Sequence, residues 1–191
     1  YKGEELLEVL SLVSSPETGN RPPHYKTSAL APEFDVEYTI EVKVNGFETI
    51  TAKNSIPTPV NLEGATFDPS VSTGSNAQTV VDFDVSVSLK DPISITNYYH
   101  LKFYQELTSF TLTTEGDTIW GNTYLEFPSN VESINYDNSL VKYQNEQSYL
   151  IEDSQFDGQY ITLEFTGQYS FDPSKTIPGR FLIELRTVSE A

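Results

Sequence analysis

Carboxylates are the most plentiful chemical groups in this sequence, and several groupings have spacings that chemistry could use. Glu152, Asp153 and Asp157 stand together in IEDSQFDG, closed by Gly158. Calcium takes about six to eight oxygens, often from several carboxylates, so Asp153 and Asp157 are candidate ligands. Their spacing departs from the D-x-[DN]-x-[DN]-G loop with its distal Glu. The same residues also suit a turn in which Asp side chains accept from nearby backbone N–H groups. Asp82 and Asp84 are two apart and share a face if their segment is a strand. Two carboxylates are too few for calcium, whereas a solvated face needs nothing more. Facing carboxyls across a cleft make a glycosidase pair, but with 28 acids in the chain no particular pair is singled out.

The other reactive types are scarce. There are two histidines, His24 in a Pro-rich stretch and His100 between Tyr99 and Leu101. Neither lies in an H-E-x-x-H arrangement, and no G-x-S-x-G, P-loop or G-x-G-x-x-G motif occurs. No catalytic residue and no cofactor site is therefore assigned, and the expectation is a non-enzymatic protein. Aromatic residues are more suggestive. Tyr98, Tyr99, Phe103 and Tyr104 cluster, and the single tryptophan, Trp120, lies in DTIWGNTY. Exposed rings can hold a ligand through their faces, and buried ones build a core. Trp120, Tyr98 and Tyr104 are the candidate platform for a small ligand or glycan.

These residues need elements to position them, and the pattern is β throughout. Val36, Tyr38, Ile40, Val42 and Val44 alternate with Glu37, Thr39, Glu41 and Lys43, which predicts a strand with one buried face. Asn45-Gly46 follows, a type I′ hairpin signal, and Phe47–Lys53 is the expected return strand. Val81, Phe83, Val85, Val87 and Leu89 alternate with polar residues in the same way, and Asp91-Pro92 ends that strand. Further strands are expected over Tyr98–Leu107, Phe110–Thr114, Tyr124–Phe127, Ser148–Ile151, Gln159–Phe165 and Arg180–Val188, punctuated by Asp157-Gly158 and Pro178-Gly179. Residues 1–13 fit a short helix or a hairpin around Gly3, and 14–24 read as a loop. Ile56-Pro57-Thr58-Pro59 removes two backbone donors and interrupts the sheet pattern. It divides a segment of residues 1–56 from one of 57–191. Many short strands with turn signals indicate sandwich or barrel architecture.

Composition bounds the rest. The 11 Lys and Arg against 28 Asp and Glu give a net charge of −17, which argues against binding a phosphate backbone and hence nucleic acid. With no cysteine, disulfides, thiolate nucleophiles and Cys zinc sites are excluded. No apolar run reaches the ~18 residues that indicate a membrane-spanning helix. The chain opens on Tyr1, without a charged segment leading into an apolar one.

Five segments in order resemble a known family. YKTSALAPEFDVEYTIEVKVNGFETITA, SIPTPVNLEG, VDFDVSVSLKDPISITNYYHLKFY, IEDSQFDGQYITLEF and FLIELRTVSEA are together similar to the Bacteroidota lipoprotein family catalogued as domain of unknown function 4249. They cover most of residues 25–191. The resemblance implies an all-β chain, an N-terminal immunoglobulin-like β-sandwich and then a second sandwich-like domain. It implies export and an N-terminal lipid anchor at the outer membrane or cell surface. The anchoring Cys and the first strands of the N-terminal sandwich are expected to lie outside this sequence, so that sandwich is incomplete here. Membrane contact is expected through that anchor alone. The resemblance further implies a TonB-dependent outer-membrane receptor as partner in nutrient uptake, with a structural or adhesive surface module as the alternative. No catalytic residue is known for the family. Asp117-Thr118-Ile119 fits a D-[ST]-aliphatic pattern, making Thr118 a candidate for O-glycosylation.

Overall fold

The computed structural model describes all residues except 14–22, 94–95, 136–139, 144–147 and 189–191; most of the expected 14–24 loop lies outside the described residues. The chain forms two compact units, Tyr1–Thr58 and Pro59–Glu190. The fold class is all-β, and among the described residues the only helical turns are short 3₁₀ segments at Ser75–Ala77 and Asp153–Gln155.

In the first unit, β1 (Ser11–Val13) pairs with β2 (His24–Lys26), and β3 (Glu37–Val42) pairs with β4 (Ile50–Ser55). The ambiguity at the start resolves as a turn, with Gly3 at φ 59° between bridged Lys2 and Glu5. A lone two-stranded ribbon is marginal in water, and here the chain terminus extends it. Thr39 donates its N–H to the Tyr1 carbonyl at 3.0 Å, and the Tyr1 ammonium donates to Thr39 O at 2.9 Å. Glu8 gathers Ser28 N–H and Oγ–H, both at 2.7 Å, and the Thr27 hydroxyl. These donors favour the ionised form and lower its pKa to about 2.

Two expectations for this unit are corrected. The apolar side of β3 is not buried: Ile40 is 49% exposed and Val42 48%. Alternation reports which side is apolar, not whether anything covers it. The Asn45-Gly46 turn is not type I′ either. Only Gly46 has positive φ, at 84°, and Phe47 donates to the Val44 carbonyl at 3.1 Å, which matches a type II turn. The return strand accordingly starts at Ile50 rather than Phe47.

The second unit is a sandwich of two antiparallel sheets. One runs in the order β5 (Leu62–Thr73), β6 (Thr79–Lys90), β12 (Tyr160–Phe171), β9 (Ser129–Ser133). The other runs β10 (Leu140–Tyr143), β11 (Ser148–Glu152), β7 (Tyr98–Leu112), β13 (Thr176–Val188), with β8 (Thr118–Glu126) also on β7. Because β7 is long, its first half pairs with β11 and its second half with β8, while β13 runs along its other side.

The alternation read in β6 holds. Val81, Phe83, Val85, Val87 and Leu89 are buried, and Asp82 and Asp84 point to solvent. Opposite them, β7 sends Tyr99, Leu101, Phe103 and Leu107 inward, and β12 adds Ile161, Leu163 and Phe165. Burying each such side chain stabilises by ~1.5–3 kcal/mol, so period-2 patterning alone fixes which face is inside. Phe103 and Phe165 meet across the sheets with centroids 5.1 Å apart.

Several strands depart from expectation: the expected Tyr98–Leu107 and Phe110–Thr114 strands are one strand, β7, β8 starts at Thr118 rather than Tyr124, and β9 and β10 are not among the expected strands. β5 has no alternating pattern and carries Pro69, which is tolerated because β5 is an edge strand. Pro178-Gly179 does not end a strand but makes a bulge inside β13, where the register shifts between Pro178 and Phe181. The side chain of Gln105, buried on β7, donates to Glu106 O at 2.8 Å and approaches Gly179 O and Arg180 O at 3.4 Å. It supplies donors where the bulge interrupts the ladder.

Candidate functional site

The carboxylates separate by environment. Asp153 is 2% exposed and Asp91 1%, while Asp157 is exposed on the turn that follows. Asp153 accepts the Asn97 backbone N–H at 2.6 Å. Asp91 accepts the Gly158 N–H at 2.8 Å and the Tyr99 hydroxyl. This network ties the end of β6 to the start of β7 and to the turn between β11 and β12. Burial raises the pKa of Asp153, and the charges of Asp91 and Asp157 add to the effect against hydrogen bonds from Asn97. Burial, followed by the bond to Asp91, raises that of Tyr99. Among the described residues, no group of three or more His, Cys, Asp or Glu could hold a metal ion.

Asp82 and Asp84 lie on the outer face of β6 beside Asp68 and Pro69, around an open concavity of about 320 Å³. Asp82 accepts from Gln168 Nε2 at 2.7 Å. His24 is exposed on β2, and His100 Nε2 lies 3.0 Å from Ser148 Oγ.

The aromatic candidates also divide. Tyr99 and Phe103 are core, while Tyr98 and Tyr104 alternate to the outer face of β7 and are half-buried. Tyr98 and Tyr104 are six residues apart, ~20 Å along a strand. They therefore do not meet. Instead each outward ring near Trp120 has another partner. Register pairs Phe110 with Trp120, and their ring centroids are 6.0 Å apart at 58°. Tyr104 packs on Phe127 at 5.1 Å.

Between these two ring pairs the outer face mixes polar groups with the exposed Leu125 and Ile177. Thr108 and Thr123 are directly opposite and share a hydroxyl hydrogen bond of 2.9 Å. Glu106 accepts from Arg180 Nη2 at 2.9 Å, and this donation holds its carboxyl below the usual range. Leu125 sits opposite Glu106, and Leu112 opposite Thr118, both largely exposed. Trp120 itself is 59% exposed.

A bulge sets the aim of Trp120. The β7–β8 register shifts between Thr108 and Phe110, leaving Gly121 and Asn122 against Ser109, whose hydroxyl donates to Asn122 O at 3.2 Å. A Cβ on Gly121 would stand 2.3 Å from Ser109 Oγ, so a larger residue here would displace the Ser109 hydroxyl from Asn122 O. Bulges re-aim the neighbouring side chain, and this one returns Trp120 to the face of Phe110. Thr118, at the start of the same strand, is exposed.

Phe110, Phe127, Glu106 and Arg180 are site residues that the sequence reading did not single out. Continuing the period-2 count along β7 through Tyr104, Glu106, Thr108 and Phe110 finds two of them. Arg180 and Phe127 arrive from other strands and leave no local signal.

No curated protein and no solved structure matches this chain. The model of the family described as a domain of unknown function, DUF4249, matches residues 7–191, and the chain belongs to that family.

Proposed function

We propose that this protein is a non-enzymatic lipoprotein of the cell envelope. It is exported and held at the outer membrane by an N-terminal lipid, and it serves a TonB-dependent receptor by holding ligand for it. The observation that supports a binding role is the pair of exposed rings, Trp120 and Phe127, packed on the half-buried Phe110 and Tyr104 on the outer face of β7 and β8. An exposed ring such as Trp120, 59% exposed, offers its face to a ligand. Purification of the native, lipid-anchored protein from outer membranes tests the partnership. A receptor barrel is expected to co-purify, and its repeated absence refutes this reading.

A second reading is a structural or adhesive surface module. It is favoured by the apolar side of β3, where Ile40 and Val42 are exposed along with Val44 just beyond the strand, since an open apolar sheet face suits packing against another sheet. A protein that remains monomeric at high concentration sinks it.

A further inference from the structure

We propose that the outer face of β7 and β8 binds a neutral, linear glycan, with Trp120 over Phe110 as the principal stacking position and Tyr104 with Phe127 as the second. This rests on the reading of that face as a ligand-holding surface and names the ligand class.

The spacing favours a chain molecule. Phe110 lies six residues beyond Tyr104 on one strand face, ~20 Å at the strand rise. A single sugar cannot touch both ring pairs, whereas an oligosaccharide laid along the strand can. Sugar rings present a C–H face that packs on an aromatic ring, with hydroxyls around the rim. The rim needs donors and acceptors between the stacking positions. Those groups are present: the Thr108 and Thr123 hydroxyls, 2.9 Å apart, and the Glu106–Arg180 pair at 2.9 Å. Glu106 and Thr108 fall between the two rings on alternate positions of β7, so charged and hydroxyl groups are interleaved with the exposed Leu125 and Ile177 of the flanking strands. A protein interface core is instead depleted in charge.

Charge narrows the class. The Glu106–Arg180 ion pair within the strip is internally balanced, in a chain of net charge −17. Glu115 and Asp117 add negative charge at the hairpin tip beyond Trp120, while at the Tyr104 end Lys102 stands opposite Glu184, which also pairs with Arg186. An anionic polysaccharide or an anionic lipid surface would be repelled. A neutral glycan carries no such cost.

Trp120 is the only tryptophan in the chain, so its fluorescence reports on this position alone. The test is titration of the protein with soluble dextran, xyloglucan, linear β-1,3-glucan and xylan, combined with native electrophoresis in gels containing each. Polygalacturonate serves as the anionic comparison. At least one neutral polysaccharide is expected to blue-shift the emission and retard migration. Trp120→Ala is expected to weaken retardation by roughly tenfold or more, through loss of a ring stack, and Trp120→Phe to restore part of it. Trp120 is exposed, so circular dichroism of both variants should match the parent. Absence of a shift and of retardation with all four neutral polymers overturns the proposal. So does retardation unchanged in Trp120→Ala, or stronger retardation by polygalacturonate than by any neutral polymer. The receptor reading fails separately: native Trp120→Ala protein that still brings down a barrel leaves the partnership standing, and glycan binding without any barrel leaves only the glycan inference.

Discussion

Asp91→Ala tests whether the buried network, rather than the apolar core alone, holds the end of β6 against β7 and the β11–β12 turn. The carboxylate is 1% exposed and accepts from the Gly158 N–H at 2.8 Å and from the hydroxyl of Tyr99, which is itself fully buried. Alanine leaves both donors without an acceptor. Each buried orphan costs ~1–3 kcal/mol. Loss of a negative charge beside Asp153 offsets part of this, since Asp91 is one cause of the raised Asp153 pKa. The net expectation is a destabilisation of ~2–4 kcal/mol, which lowers the Tm by roughly 6–15 °C for a unit of this size. Tyr99→Phe removes one of the same bonds and is expected to cost ~1.5–3 kcal/mol. Because the two substitutions share a bond, the double variant should lose less than their sum by ~1 kcal/mol or more. Urea unfolding of the four proteins, followed by circular dichroism, measures all of these. An Asp91→Ala loss within ~0.5 kcal/mol of zero, or strict additivity, refutes the view that these groups act as a unit.

Other expectations follow from single side chains. Asp153 has a raised pKa in the folded state, so its protonation stabilises at low pH, and that contribution is lost as pH rises through the folded value. Asp153→Asn mimics the protonated form and still accepts from Asn97. It should gain most over the parent at pH 7 and converge with it toward pH 4, as read by urea midpoints; a difference independent of pH contradicts this. Glu8 has its pKa lowered to about 2, so its contribution is present above the ordinary carboxylate range and lost as pH falls toward 2. The protection factors of the Ser28 and Leu30 amides should fall over that interval, and Glu8→Gln should abolish that change. Gly167 faces the Phe83 ring, where a Cβ would lie 2.5 Å from Cζ. Gly167→Ala is expected to destabilise by ~1–3 kcal/mol through overpacking, and an unchanged midpoint would show that the ring shifts freely. Thr118 is expected to carry an O-linked glycan in native material, giving a mass excess that Thr118→Ala removes.

The second unit was largely legible where one face of a strand is buried and the other wet. In β6 the alternation of five apolar with polar residues named the strand and its inner side together. β7 read as two strands, Tyr98–Leu107 and Phe110–Thr114, and is one through Leu112 because β8 and β13 carry the ladder across the join, and neither partner is visible from within β7. β5 was missed because Gly64, Pro69 and scattered hydroxyl residues mask the period. In β3 the period was right and the burial wrong, since an apolar stripe does not reveal whether it has a partner. The site was half legible. Trp120 and Tyr104 stood out by type, but the pairing of Trp120 with Phe110 depends on a bulge at Gly121 that no residue pattern announces. Asp91 read only as the end of a strand. Its role comes from Tyr99 and Gly158, and the latter is 67 residues away along the chain.

The way β6 meets β12 and β7 meets β13 bears on how quickly this molecule can assemble. Ser88 bonds Thr162 across 74 residues, Tyr104 bonds Glu184 across 80, and Gln168 bonds Asp82 across 86. Both sheets are therefore joined by pairings whose loop-closure entropy must be met before the contacts reward it. Local hairpins such as β5–β6 and β7–β8 can form early. The sandwich closes only when β12 and β13, the last strands of the second unit, have left the ribosome. Until then the free side of β7 exposes a long unpaired backbone edge, open to wrong partners during synthesis. A chaperone that shields β7 until β13 arrives would raise yield far more than one acting on the native protein.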